Sequence, residues 1–423
     1  MPKRAEGITN LSGNELSYFS ENYVESKKKF LEIAPEATRR FQHRIEVAEE
    51  PSIKDGLTID TLVFDAAKEK DTLLMLISGT HGIELGVGAA IQQMVGHEFL
   101  EKRNENTGVA MIHALNPYGA YAGRKMNENR VDLIRAFVND TKELKIDDSE
   151  LKHIQKKSQW VFSPQRKRLP WLVESVIFSA GISSLVPLVY TYSYRKCITA
   201  IAGGQYENSK GLSFGGNNEI GIQPSVTHYK NILQEATKGY KKLVMYDFHS
   251  GLGQCYSFIP LIDYLITGED MEVMRHIFPK IGEMTSMKAP QNMRKRRMRN
   301  KIRSCINLAN DIFFNVQTDN RPEMYRTNGG IDEFTVKHSL ADKTYCASID
   351  FGVKNIASVI HTQVAENQVY NHGAITPGVA EKVRRKNLKT HCPEDHRWRV
   401  NAIRSSRGFI GKTYTEFGLY QRK

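Results

Sequence analysis

Four residues combine side-chain types and positions that could do metal chemistry. His81 and Glu84 stand in Ser78-Gly79-Thr80-His81-Gly82-Ile83-Glu84, His249 closes "KLVMYDFHS", and Asp350 lies in "YCASIDFG". Catalytic zinc commonly takes three protein ligands from histidine and carboxylate and leaves a fourth position open. His81, Glu84 and His249 would supply that set, and Asp350 could take a proton from a water as it attacks. An isolated His-x-x-Glu is common by chance, so the pair also reads as a polar turn between a strand and a helix. A competing motif is Gly211-Leu212-Ser213-Phe214-Gly215, which fits G-x-S-x-G and would make Ser213 a nucleophile with His249 as its base. That motif needs a strand before it and a helix after it. Its flanks, "GGQYENSK" and "GNNEIGIQPS", are polar and glycine-rich, so the context is wrong.

Elements that could position these groups are visible as short apolar runs. "GLTIDTLVFDA", "TLLMLIS", "GVAMIHAL", "KLVMYDFHS" and "YCASIDFG" read as strands, four of them continuous enough to be covered on both faces. Helical stretches alternate with them, notably "GVGAAIQQMVGHEFLEKR" and "VTHYKNILQEATKGYKK", and "NELSYFSENYVESKKKFLEIA" reads as one amphipathic helix. The order favours an α/β fold with a largely parallel or mixed central sheet. Ligands in such sheets bind beyond the carboxyl ends of the strands, and His81, Glu84, His249 and Asp350 are placed there. Residues 140–200 leave the rhythm and read as a helical insertion. Within it, residues 172–194 are apolar but carry Glu174, Pro187 and several hydroxyl residues, so a buried or amphipathic helix is expected rather than a membrane span.

The chain has 423 residues, 40% of them apolar, which suffices for a sizeable core and argues against disorder. Its 59 basic and 47 acidic residues give a formal charge of +12, favouring acidic partners. The five cysteines are scattered without CxxC pairs, and "MPKRAEGITN" has no apolar signal-like stretch; a reduced, cytoplasmic protein is expected. The basic run from Arg294 to Arg303 has no interleaved aromatics, so it reads as a solvated face or a rim attracting an acidic substrate rather than as a nucleic-acid site. The glycine-rich "GGQYENSKGLSFGG" lacks the frame of a phosphate loop and reads as a loop beside the substrate.

Several motifs in order carry a resemblance. "SGTHGIE", "HALNPYGAYAGRKMNENRVDLIRAF", "GGQYENSKGLSFGG", "YDFHSGLG", "SIDFG" and "CPEDHRW" resemble a bacterial branch of zinc-carboxypeptidase-like proteins catalogued as a domain of unknown function, from about Tyr18 to past Trp398. That branch is similar to the metallocarboxypeptidase superfamily, which includes aspartoacylase and succinylglutamate desuccinylase. The resemblance implies a three-layer α/β/α sandwich with a mixed sheet, spanning the chain as one catalytic domain with the 140–200 insertion inside it. It also implies one zinc on His81, Glu84 and His249, with Asp132 orienting the first histidine, and Arg124 and Arg135 binding substrate and stabilising negative charge. Two departures stand out. The superfamily's "NRNF" is "IRAF" here, with Ile134 where an asparagine holds a peptide's terminal carboxylate, and the general base, usually glutamate, is Asp350, with Glu333 as a fallback. "HCPEDH", with His391, Cys392 and His396, falls in a C-terminal motif around Trp398 and is read as packing.

The expected activity is zinc-dependent cleavage of an amide bond, peptide or N-acyl, in a small-molecule or peptide substrate. The alternatives are an N-acyl amino acid deacylase of the aspartoacylase type, and a catalytically weakened binding or regulatory protein on the same scaffold.

Overall fold

The computed structural model describes residues 15–46, 56–144, 149–162, 199–200, 202–262, 264, 266, 268–278, 329–353, 356–372 and 377–421. Seven strands form one mixed sheet: β1 (Arg39–Ile45), β2 (Leu57–Phe64), β3 (Thr72–Ser78), β4 (Thr107–His113), β5 (Lys242–Ser250), β6 (Phe258–Leu261) and β7 (Lys343–Phe351), in the spatial order β1-β2-β4-β3-β5-β7-β6. The four middle strands run parallel, and β1, β2 and β6 are antiparallel to their neighbours. The five expected strands are all present. The other two, β1 and β6, lie at the sheet's edges.

Alternation along the strands divides the apolar residues between two cores, one on each face. Leu74, Leu76, Tyr246, Phe248, Ala347 and Ile349 pack against α2 (Leu85–Glu98) and α10 (His396–Glu416). Leu73, Met75, Ile77, Leu243, Met245 and Cys346 pack against α5 (Pro224–Thr237) and α7 (Ile331–His338). Helices therefore cover both faces, giving three layers.

The remaining helices are α1 (Tyr23–Glu32), α3 (Pro117–Ala122), α4 (Ser149–Phe162), α6 (Gly268–Ile277), α8 (Ile356–His372) and α9 (Pro377–His391). The expected continuous N-terminal helix is interrupted. Residues 15–17 are helical, the chain then opens, and Asn22 caps a new helix by accepting a hydrogen bond from the Glu25 amide at 3.0 Å. An asparagine side chain satisfies the free amides of a helix start better than it serves mid-helix, which explains the break. Within residues 140–200, Ser149–Phe162 form α4. The apolar residues 172–194 and the basic run 294–303 lie outside the described residues.

Candidate metal centre

The stripe that forms the second core continues past it into chemistry. On β5 the same face carries Leu243, Met245, Asp247 and His249, and on β7 it carries Cys346, Ser348 and Asp350. Parallel pairing sets His249 directly beside Asp350 and Asp247 beside Ser348. Period-two geometry thus carries these polar groups to the carboxyl end of the sheet as a continuation of the buried face.

The third strand delivers the other two groups through a tight turn. β3 ends at Ser78, Gly79 turns the chain at φ 69°, and a single 3-10 turn, Gly82–Glu84, follows His81 before α2 begins. Gly82 is required by close approach: a Cβ there would stand 2.1 Å from the Gly119 carbonyl carbon in α3. The Ile83 amide donates to the Arg124 carbonyl at 2.8 Å, tying this turn to the segment after α3. That segment is itself pinned, because Asn116 caps α3 through the Gly119 amide and donates to the Lys125 carbonyl at 3.0 Å.

The side chains converge around Glu84. Its Oε1 lies 3.0 Å from His81 Nδ1, its Oε2 lies 3.0 Å from His249 Nδ1, and the Ser250 amide donates to Oε2 at 3.1 Å. Ligand atoms of His81, Glu84 and His249 all lie within 4.8 Å of one another. The far nitrogens of both rings are held by carboxylates: His81 Nε2 by Asp132 Oδ1 at 3.1 Å, and His249 Nε2 by Asp247 Oδ2 at 2.7 Å. Lys125 Nζ donates to Asp132 Oδ2 at 2.7 Å, and Thr80 Oγ1 donates to Asp247 Oδ1 at 2.8 Å. A carboxylate on Nε2 fixes the tautomer and leaves Nδ1 to face an ion, so each histidine has the support that metal ligands require.

Electrostatics point the same way. Burial opposes ionisation of Glu84, yet His81 and His249 outweigh it and hold its pKa well below the usual carboxylate range. Burial likewise opposes charge on Asp132, but Lys125, His81 and Arg135 keep its pKa low. His249 is driven the other way: burial would lower its pKa, and Asp247 with Glu84 raises it well above the usual value. A positive charge is thus favoured where the three ligand atoms meet. Asp350 is pushed up to about 8, first by burial and then by the Glu84 charge, and its Oδ1 accepts from the Leu252 amide at 2.8 Å. Four carboxyl groups surround two imidazoles with few cations in reach, an imbalance that a divalent ion would offset. The residues fit a zinc ion: two imidazoles and one carboxylate are borderline-hard donors, three in number.

Asp132, expected beside His81, is there. Arg135 is buried on the 3-10 turn that follows Asp132, with Nε donating to the Ala202 carbonyl at 2.7 Å. Arg124 is buried as well, its guanidinium carbon 3.8 Å from the Tyr370 ring centroid and its Nε 3.7 Å from Glu366 Oε1. The Nε has no hydrogen-bond partner among the described residues. Glu333 is exposed on α7 and is not brought to the site, whereas its neighbour Asp332 is buried and accepts from Ser348. Ser213 sits in a loop whose amide and carbonyl groups pair with Gln205, without the strand-to-helix frame of a nucleophile elbow. That loop lies against Asp132 and Arg135: the Asp132 amide donates to the Phe214 carbonyl at 2.7 Å, and Tyr206 donates to the Arg135 carbonyl at 3.2 Å.

Sequence reasoning missed Asp247, Lys125 and Glu366. Asp247 had a signal, since Asp-x-His on a strand places both side chains on one face. Glu366 had none, because its partners come from distant segments, and Lys125, seven residues before Asp132, lies in a loop whose spacing predicts no contact.

The model of a family described as protein of unknown function (DUF2817) matches residues 19–313. The chain belongs to the DUF2817 family. In this DUF2817 chain the matched stretch contains His81, Glu84, Asp132, Asp247 and His249, while Asp350 and Glu366 lie beyond it. No curated protein matches it in sequence. Among solved structures it is similar to thrombin activatable fibrinolysis inhibitor (TAFI), at 12% identity and a TM-score of 0.41 over 87% of this chain and 73% of that one. It is also similar to carboxypeptidase A from Helicoverpa armigera, at 12% identity and a TM-score of 0.37 over 89% and 75% of the two chains. Among the described residues no helix is long and apolar enough to cross a membrane.

Proposed function

We propose that this protein is a zinc-dependent hydrolase that cleaves an amide bond, peptide or N-acyl, in a small-molecule or peptide substrate. The observation that carries the reading is the convergence of His81, Glu84 and His249, each histidine backed by its own buried carboxylate, with Asp350 one strand away. Zinc bound by these three residues would supply Lewis acidity toward a carbonyl oxygen and make a water easier to deprotonate.

The chain's own residues supply the rest. Asp350 takes a proton from the attacking water as the carbon–oxygen bond forms. It then returns that proton to the nitrogen as the carbon–nitrogen bond breaks, giving a carboxylic acid and an amine. Burial and the Glu84 charge raise its affinity for that proton, which suits a group that must hold it between the two steps. Arg124, whose Nε stands 3.7 Å from Glu366 Oε1 and whose guanidinium lies over the Tyr370 ring, is assigned to negative charge on the substrate, and Arg135 to the same side of Asp132.

Ile134 favours the N-acyl amino acid deacylase form of this reading. Its side chain packs against the apolar cluster of the second core and offers no polar group to a peptide's terminal carboxylate. The net charge of +12 favours an acidic substrate in either form. Cys346 and Cys392 are free thiols, which suits the cytoplasm.

The test is twofold. Metal analysis of purified protein is expected to find about one zinc per chain, as for a three-ligand site. Zinc-loaded protein is then screened against short peptides with free and blocked C-termini and against N-acyl amino acids. Dependence on a free C-terminus would identify a carboxypeptidase, and cleavage without that dependence a deacylase. An intact protein that binds no zinc would refute the reading, and unchanged hydrolysis by Asp350→Ala would refute the role of Asp350.

A further inference from the structure

His391 ends α9, beyond the stretch matched by the family, and the sequence placed it in a packing motif. The structure brings it to the metal centre's border instead. The residue is 1% exposed, and its Nδ1 lies 3.1 Å from the Asn387 carbonyl one helical turn back. A carbonyl oxygen accepts only, so Nδ1 carries the proton and Nε2 presents a lone pair. That Nε2 is buried and has no hydrogen-bond partner among the described residues.

Its place is fixed from three sides. Cδ2, the ring carbon bonded to Nε2, lies 3.9 Å from where a Cβ on Gly251 would stand, two residues past His249. Ser250 Oγ donates to the His391 carbonyl at 2.5 Å, tying the end of α9 to the end of β5. Cys392 Sγ would stand 2.5 Å from a Cβ on Gly86, so the same segment also sits on the start of α2, just after Glu84. The charges of Glu84, His81 and Lys125 all act on the ring, and burial holds its pKa down so that the lone pair persists. Among the described residues three other rings carry a buried nitrogen without a hydrogen bond, but His113 is engaged by Ser26 and stacked on Phe30, His228 stacks on His43, and His338 packs on Phe334. Among these four, His391 alone feels the charge of a proposed metal ligand.

A buried acceptor with no hydrogen bond from the described residues, at the edge of a site, can be satisfied by a donor that arrives with the ligand. We propose that His391 Nε2 accepts a hydrogen bond from the N–H of the bond to be cleaved, making His391 a catalytic residue that selects amides over esters. This rests on the hydrolase reading and deepens it. Held from the N–H side, the nitrogen keeps its developing lone pair free to take the proton from Asp350. An ester has no N–H and leaves Nε2 unpaired, so the discrimination follows from the same orphan atom.

The experiment compares wild type, His391→Leu and His391→Gln, each zinc-loaded, on an N-acetylated dipeptide and on the depsipeptide that replaces its scissile N–H with oxygen. Losing one buried hydrogen bond to the substrate is expected to cost His391→Leu about 10–100-fold in kcat/KM on the amide, and far less on the ester. His391→Gln, whose side-chain oxygen can stand near the Nε2 position, is expected to recover part of the loss. Affinities of the zinc-loaded proteins for both probes, measured by calorimetry, supply a readout independent of turnover: wild type should prefer the amide, and His391→Leu should lose that preference. Zinc affinity should stay within about twofold of wild type, since loss of a residue supporting the ion costs tenfold or more.

Equal losses on amide and ester, no loss on either, or a tenfold fall in zinc affinity would overturn the proposal. If wild type binds the amide more tightly than the ester but cleaves neither, the hydrolase reading fails and the hydrogen bond stands. If wild type cleaves the amide and His391→Leu matches it, this proposal fails alone. If wild type binds and cleaves neither probe, both are overturned.

Discussion

Replacing Asp247 by asparagine and then by alanine should weaken zinc binding in two steps, although Asp247 is not itself a proposed ligand. The carboxylate is fully buried and has two partners, His249 Nε2 at 2.7 Å and Thr80 Oγ1 at 2.8 Å. Asparagine is nearly isosteric. Its amide oxygen still accepts from the imidazole and its NH2 can donate to Thr80, so geometry survives while the charge behind the ring is lost. Removing a carboxylate that supports a ligating histidine typically costs 10–100-fold in metal affinity, equivalent to about 1.4–2.7 kcal/mol. Asparagine should fall near the lower end and alanine near the upper, because alanine also leaves the ring N–H without a buried acceptor.

Asp247 is a cleaner probe than Asp132. Asp132 also pairs with the buried Lys125, so its replacement strands an ammonium and lowers fold stability as well as metal affinity. The assay is a competition titration of metal-stripped protein with a chromophoric zinc chelator, with thermal unfolding run beside it on the stripped protein. Replacing the exposed Glu105, which pairs with Lys68 far from the site, serves as the control and should leave zinc affinity unchanged. Zinc affinities for Asp247→Asn and Asp247→Ala within about twofold of wild type would refute the assignment of His249 as a ligand through Nδ1, because support at Nε2 could not then matter.

Three further outcomes follow from the same geometry. Glu84→Gln should abolish stoichiometric zinc in metal analysis, since the amide is neutral and its nitrogen does not ligate; retention of one zinc per chain would refute the ligand set. Asp350→Asn should raise the thermal stability of metal-stripped protein at high pH, with the gap closing as pH falls. The pKa of Asp350 in the folded chain is raised to about 8, and that of an unfolded aspartate is about 3.9, so the native state loses stability as pH climbs between the two; a pH-independent gap would refute the cause. Gly82→Ala should destabilise the turn before α2 and release the histidine from its register, because the added carbon meets backbone rather than a movable side chain. A soluble variant with wild-type melting temperature and zinc content would count against that packing.

How much of this was readable in the sequence depended on whether the signal was local. The buried strands announced themselves as continuous apolar runs, and the groups at their ends could be placed from topology alone. β1 did not, because it is an edge strand whose sequence RRFQHRI alternates between half-buried and exposed positions and never forms an apolar run. β6 has four residues and contains Pro260, which a central strand could not accept but an edge can. The proposed metal triad could be read as residue types at strand ends, while the carboxylates behind it divide. Asp132 came from the resemblance, and Asp247 was visible only to a period-two reading of "YDFHS". Glu366 and His391 depend on where α8 and α9 fold back, and nothing in the local spacing says that they do.

That folding back gives the C-terminal helices more than a covering role. α9 packs on the 3-10 turn that carries Glu84, with Arg384 and Leu388 against Gly123 and Cys392 against Gly86. From α8, Glu366 accepts from the Lys125 amide at 3.1 Å and stands beside Arg124, while Asn387 of α9 donates to the same carboxylate. Burial pushes the pKa of Glu366 up, against the opposing pull of Arg124 and Lys125. One carboxylate from a distant helix therefore lies between the arginine assigned to the substrate and the lysine that anchors Asp132. A shift of α8 against α9 would be felt by both cations, and through Lys125 and Asp132 by His81. The metal turn, the arginine and the C-terminal helices are in this sense one mechanical unit, with the parallel strands as its fixed base.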